Sequence, residues 1–280
     1  MPKKSEDAVR RAAELALEHI RSEETTPVRP YRAPDAAYDD LDIAICADGL
    51  PFDDVVEKLR RLLAETPTTS SKRFFNQLFA GRDAVATMAD MLVAVANISM
   101  YTWKVAGPQI LVEREVIERL AGYVGFERGE GMFCPGGSLS NMVAMIVARN
   151  EAIADAREHG LPGDRLMVYS SAESHYSIMK AAGMVGVGRA NVRKIACDRE
   201  GRMDPAALDR AIRDDLRSGA RPVFINATAG TTVEGAFDPI REIAAVAREH
   251  GVWLHVDGAY GGAVLLSRKR RHLLDGCELA

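Results

Sequence analysis

The sequence has no stretch of 18 consecutive apolar residues, so it offers no membrane-spanning helix. It has four cysteines, Cys46, Cys134, Cys197 and Cys277, widely scattered and without a C-x-x-C pair or a clustered histidine. That spacing excludes a disulfide framework and a zinc site, and it suits reduced thiols in a cytoplasmic protein. Charge of one sign is also missing. With 36 Lys and Arg against 40 Asp and Glu, the net charge of −4 gives no electrostatic basis for holding nucleic acid or an anionic membrane. The N-terminus, MPKKSEDAVRRAAELALEHIRSEE, is charged and amphipathic and lacks the continuous apolar core of a signal peptide. What these absences leave is a globular chain of 280 residues whose partner is a small molecule or another protein.

The pattern along the chain divides it. A first helix leads into a proline-rich irregular segment over 26–51, and together residues 1–50 read as a helix and extended arm. Residues 51–121 read as helical, beginning with PFDDVVEKLRRLLAET and interrupted at Gly107-Pro108. From 122 to 280 short apolar strands alternate with helices. The predicted strands are Met132–Cys134, Leu166–Tyr169, Val192–Ala196, Val223–Asn226 and Val252–Val256, with helices near 139–158, 175–185, 205–217 and 239–250. Asp238 reads as an N-cap with Pro239 at the first helical position and Gly251 past the end. Such alternation predicts an α/β fold with a mostly parallel sheet covered on both faces, whose ligand sits at the carboxyl ends of the strands.

Four strand ends carry unusual polar residues. CPGGSLSNM (134–142) opens a helix with two glycines, so that free N–H groups, the helix dipole and the hydroxyls of Ser138 and Ser140 suit a phosphate. It is neither a Walker A sequence nor a dinucleotide fingerprint. SAESHYSIMKAAG (171–183) places His175 in the first turn of a helix, NATAGTTVEGAFDP (226–239) concentrates Asn226, Thr228, Thr231 and Thr232, and HVDGAYGG (255–262) ends an apolar strand on Asp257. Each alone reads as a turn or cap. Together they form one site, suited to a phosphorylated aromatic cofactor with a ring nitrogen to be kept protonated.

FFNQLFAG (74–81), CPGGSLSNM, SHYSI, NATAGTTVEGAFDP and HVDGAYGG, in this order, resemble the group II pyridoxal 5′-phosphate-dependent amino acid decarboxylases, nearest their glutamate and cysteine-sulfinate branch, over roughly residues 50–280. The resemblance implies an aspartate aminotransferase-like (fold type I) large domain, incomplete at its C-terminus, and decarboxylation of an acidic L-amino acid by a homodimer. It assigns the phosphate to Gly137, Ser138, Leu139 and Ser140, the ring nitrogen to Asp257, the ring face to His175 and the packing beneath the ring to Ala259. Thr232, and less directly Thr228 and Thr231, would lie near the cofactor, and Gln77 would contact the substrate carboxylate. His175 and Asp257 are the expected catalytic pair, and no metal is implied.

The family's Schiff-base lysine follows the stretch matching RHLLDGCELA (271–280), and none of Lys58, Lys72, Lys104, Lys180, Lys194 and Lys269 has its context. The resemblance therefore implies a truncated chain, inactive by itself, with apolar surface and a sheet edge exposed. Two alternatives remain: an aminotransferase or lyase of the same fold, and a catalytically dead binding or scaffold protein.

Overall fold

The computed structural model describes residues 2–27, 32–45, 47–76, 78–161 and 163–280. Gln77 and Cys46 lie outside the described residues, as does part of the proposed arm. The chain forms two compact units, Met1–Asn97 and Ile98–Ala280.

In the first unit α1 (Pro2–Ser22), α2 (Pro34–Leu41), α3 (Phe52–Glu65) and α4 (Ala84–Ala96) follow one another. The segment expected to be irregular therefore contains a helix, α2, with Pro34 in its first turn where a missing N–H costs nothing. Helices α1 and α3 bury Leu15 and Val56 and are tied by Arg11–Asp53 at 2.6 Å and Arg60–Glu18 at 3.0 Å. Asp83 caps α4, accepting from the Ala86 N–H at 2.8 Å.

The second unit begins with α5 (Trp103–Ala106) and α6 (Gln109–Val124), broken at Gly107-Pro108 as the sequence predicts. Next come α7 (Gly137–Ala152), α8 (Ala156–His159), β1 (Leu166–Ser171), α9 (Ser177–Met184), β2 (Val192–Ile195), α10 (Pro205–Arg217), β3 (Arg221–Thr228), α11 (Ile240–His250) and β4 (Trp253–Asp257). The strands form one sheet in the order β2-β1-β3-β4, and every neighbouring pair is parallel. Met145, Ala148, Ile178 and Ala181 of α7 and α9 cover one face, and Leu208, Ile212, Ile240 and Ile243 of α10 and α11 cover the other. The chain steps outward from β1 to β2, then back across β1 to β3. That reversal moves the connecting helix to the opposite face, as crossovers of a single hand require. It also opens a crevice beyond the carboxyl ends of β1 and β3.

Strands buried on both faces need no polar alternation, so β1 reads LMVYSS and is buried throughout. Its one large polar group is satisfied inside. The Tyr169 hydroxyl donates to Asp215 Oδ2 at 2.9 Å, and Arg193 Nη1 stands 2.9 Å from the other carboxylate oxygen. Burial, with the Asp215 carboxylate beside it, pushes the Tyr169 phenol well above its ordinary range.

Three local expectations are corrected. Met132–Cys134 forms no strand: Met132 and Phe133 are exposed, and the Phe133 N–H finds the Glu113 carboxylate at 3.2 Å rather than a sheet neighbour. Asp238 does not cap α11, whose N-cap is Pro239; its carboxylate points inward to the backbone N–H groups of Met203 and Thr228, each at 2.7 Å. His175 lies two residues before α9 begins, so it precedes the first turn. No described helix is long and apolar enough to cross a membrane.

Candidate active site

The carboxyl edge of the sheet gathers Ser170 and Ser171 of β1, Asn226 and Thr228 of β3, and His255 and Asp257 of β4. Parallel register fixes their heights. Asn226 is level with His255, and Thr228 with Asp257. The Ala229 N–H then bonds the Asp257 carbonyl at 2.9 Å, holding the turns after β3 and β4 together.

Asp257 ends the apolar strand β4 at this edge. Its side chain is buried, and it accepts from Asn141 Nδ2 at 2.9 Å and from the Ala259 N–H at 3.1 Å. No cation pairs with it among the described residues. A buried anion held only by neutral donors keeps an unneutralised charge, which a cationic ligand group can complete.

Helix α7 begins at the same edge. Gly136 has a positive φ of 97°, a conformation that favours glycine, and turns the chain into the helix. The N–H groups of Leu139 and Ser140 bond the Gly136 carbonyl, while those of Gly137 and Ser138 have no backbone partner among the described residues. These free donors and the exposed hydroxyl of Ser138 form an anion cradle at the positive end of the helix dipole. A Cβ on Gly137 would lie 2.8 Å from the Ala259 Cβ. The cradle therefore abuts the turn that follows Asp257.

Behind Asp257 the polar groups interlock. The Asn141 amide also donates to Ser177 Oγ at 2.9 Å and faces His255 Nε2 through Oδ1 at 2.8 Å. Ser177 Oγ lies 2.8 Å from His175 Nδ1. His255 stacks on Phe224 with ring centroids 5.4 Å apart, and burial drives its pKa down to about 4 against the pull of the Asp257 charge, so the ring is neutral at pH 7. The Thr228 hydroxyl sits within 3.2 Å of both Ser174 Oγ and Asn226 Nδ2. Thr231 Oγ1 accepts from the Ala236 N–H at 3.0 Å and so serves its own turn. Thr232 is half-buried and makes no side-chain hydrogen bond among the described residues.

Of the residues singled out in the sequence, Gly137, Ser138, Leu139, Ser140, His175, Thr228, Asp257 and Ala259 thus converge on one sheet edge. Asn141, Ser177 and His255 were missed. The available signal was an asparagine, a poor helix former, five residues into an otherwise helical run. Cavity volume does not mark this site. A cavity of about 770 Å³ lies in the first unit between Leu41, Leu62 and Phe74. A surface group of Asp209, Glu249 and His250 could hold a cation by spacing, but Arg213 already binds Asp209 at 3.0 Å and Glu249 at 2.7 Å.

An anion cradle, a buried carboxylate without a counter-ion and an imidazole suit a phosphorylated aromatic ligand with a basic ring nitrogen. That is the chemistry of pyridoxal 5′-phosphate.

Comparison with known proteins agrees. A family profile described as pyridoxal-dependent decarboxylase conserved domain matches residues 34–280. The chain is 42% identical to the cysteine sulfinic acid decarboxylase of Mus musculus over 251 residues, 89% of this chain and 51% of that protein. It is 38% identical to the acidic amino acid decarboxylase GADL1 of Bos taurus over 282 residues, 99% of this chain and 54% of that protein. The crystal structure of mouse CSAD superposes with a TM-score of 0.96 at 38% identity, covering 100% of this chain and 60% of that one. That of Oryza sativa TDC with PLP and tryptamine superposes with a TM-score of 0.89 at 27% identity, again over 100% of this chain and 60% of that one. The chain spans about half the length of the curated relatives it matches.

Proposed function

Since the chain belongs to the pyridoxal-dependent decarboxylase family, we propose that the whole protein binds pyridoxal 5′-phosphate at the carboxyl edge of the sheet and removes the α-carboxylate of an acidic L-amino acid as carbon dioxide. The observation that carries this reading is Asp257, a buried carboxylate with only neutral donors among the described residues, beside an open anion cradle. When bound, the cofactor supplies the electron sink for the pair left by the departing carboxylate.

The chain supplies orientation and charge. Gly137, Ser138 and Ser140 would hold the phosphate, with Leu139 contributing its place in the same turn. Asp257 would bind the ring nitrogen and keep its proton in place through a charged hydrogen bond. His175 would pack on the ring face and Ala259 beneath it, Thr232 beside it, with Thr228 and Thr231 shaping the strand end. Gln77 would face the substrate carboxylate. In this reading residues 1–50 are a helix and extended arm, 51–121 a helical segment and 122–280 part of the cofactor-binding large domain of a homodimer subunit.

The acidic substrate class draws its support from the two relatives named above, one a cysteine sulfinic acid decarboxylase and the other an acidic amino acid decarboxylase by name. The test is carbon dioxide release by the whole, cofactor-loaded protein from L-cysteine sulfinate, L-glutamate, L-aspartate and L-tryptophan. The expected result is a kcat/KM for one of the acids at least about 100-fold above that for tryptophan, a discrimination within reach of one buried polar contact. Keto acid formed in place of amine would overturn the reaction class, and preference for tryptophan the substrate class.

A second expectation concerns the cradle. Gly137→Val drives a branched side chain into Ala259, already 2.8 Å from the position of a Cβ. Cofactor affinity, read by titration of the absorption band, should fall at least about tenfold, since overpacking of this kind costs about 1–3 kcal/mol. An unchanged affinity would place the phosphate elsewhere.

A further inference from the structure

The polar groups behind Asp257 have only one consistent arrangement of hydrogens. An ionised Asp257 has lone pairs alone, so Asn141 must turn its NH₂ toward Oδ2, 2.9 Å away. The amide oxygen then faces His255 Nε2 at 2.8 Å, and that nitrogen must carry the hydrogen. Burial keeps the His255 ring neutral, so it has no second hydrogen to give. The other N–H of Asn141 goes to Ser177 Oγ at 2.9 Å.

Ser177 passes the direction on. The Ser177 backbone N–H points at His175 Nδ1 at 3.2 Å, and the Ser177 hydroxyl lies 2.8 Å from the same nitrogen. A hydrogen on Nδ1 would face the backbone N–H directly. Nδ1 is therefore bare and accepts from both, which leaves the ring hydrogen on Nε2.

We propose that Asn141 is a positioning residue that sets the hydrogen-bond polarity of the site, fixing the Asp257 carboxylate at one end and, through Ser177, holding His175 in the tautomer with its hydrogen on Nε2 at the other. His255, stacked on Phe224, is the backstop that keeps the Asn141 amide from turning over. The ring nitrogen that is free to meet a ligand is consequently a donor. It suits a carboxylate oxygen of the substrate and not the removal of a proton from it. This meaning for catalysis rests on the decarboxylase reading; the polarity itself does not.

The test is ¹⁵N NMR of histidine-labelled protein without cofactor at pH 8, with the six histidines assigned by single replacements. His175 and His255 should both show a protonated Nε2 and a bare Nδ1. Asn141→Leu removes the N–H that Ser177 Oγ accepts, so the Ser177 hydroxyl is free to turn away from His175. The ratio of Nε2–H to Nδ1–H at His175 should then fall about tenfold, the worth of one hydrogen bond. Ser177→Ala should give the same fall without touching Asp257, which serves where the first variant fails to fold. A wild-type His175 with its hydrogen on Nδ1, or a ratio unmoved in a folded variant, overturns the proposal. A wrong function would instead appear as correct tautomers with no carbon dioxide release from any amino acid.

Discussion

Asp257→Asn lowers kcat of the whole, cofactor-loaded protein by about 10²–10³-fold, the range seen when one preorganised charge-stabilising contact is removed from an active site. The side chains are the same size, so the change is electrostatic. In the native chain the carboxylate is buried and accepts from Asn141 Nδ2 and the Ala259 N–H. An amide at 257 has one acceptor atom for those two donors, so its own NH₂ must confront one of them. It also has no negative charge with which to hold a protonated ring nitrogen. The first effect costs stability on the order of 1–3 kcal/mol, and the second falls on the rate. They separate in a denaturation curve run beside a steady-state assay at saturating cofactor. A rate loss below tenfold would remove Asp257 from the reaction.

The largest effect on stability belongs to Asp238. It is 2% exposed and binds the backbone N–H groups of Met203 and Thr228, pinning the approach to α10 against the end of β3. Asp238→Ala leaves two buried N–H groups without partners, at about 1–3 kcal/mol each, so unfolding at pH 5 should become easier by about 2–6 kcal/mol. The same carboxyl makes stability depend on pH. Burial outweighs its two N–H bonds and raises its pKa from 3.8 to about 6. Between those values the folded protein holds the proton that the unfolded chain releases. Stability therefore falls as pH rises from about 4 to about 6, by about 3 kcal/mol in all. Asp238→Asn should flatten that part of the curve, and an unchanged slope in chemical denaturation would refute the assignment.

Asp238 also shows where sequence reasoning stops. An aspartate before a proline at the start of a helical pattern matches an N-cap, and only the tertiary fold reveals that Met203 offers a better use for the carboxylate. Four of the five predicted strands were legible because apolar runs between helices leave few alternatives, and the ends of three of them, β1, β3 and β4, located the site. Met132–Cys134 carries the same signal but has no neighbour to pair with, and a strand is defined by its partner. Asn141 and His255 were hidden for another reason. One sits inside a helix and the other inside a strand, where periodicity predicts burial and says nothing of which buried groups meet.

Asp257 is proposed as the partner of a protonated ring nitrogen, and the most direct measurement observes that nitrogen. Cofactor labelled with ¹⁵N in its ring, bound to the whole protein, should show a protonated nitrogen across pH 6–9, and binding to Asp257→Asn should give the unprotonated resonance. An unprotonated nitrogen in the native protein, or a protonated one that survives the substitution, would contradict the account.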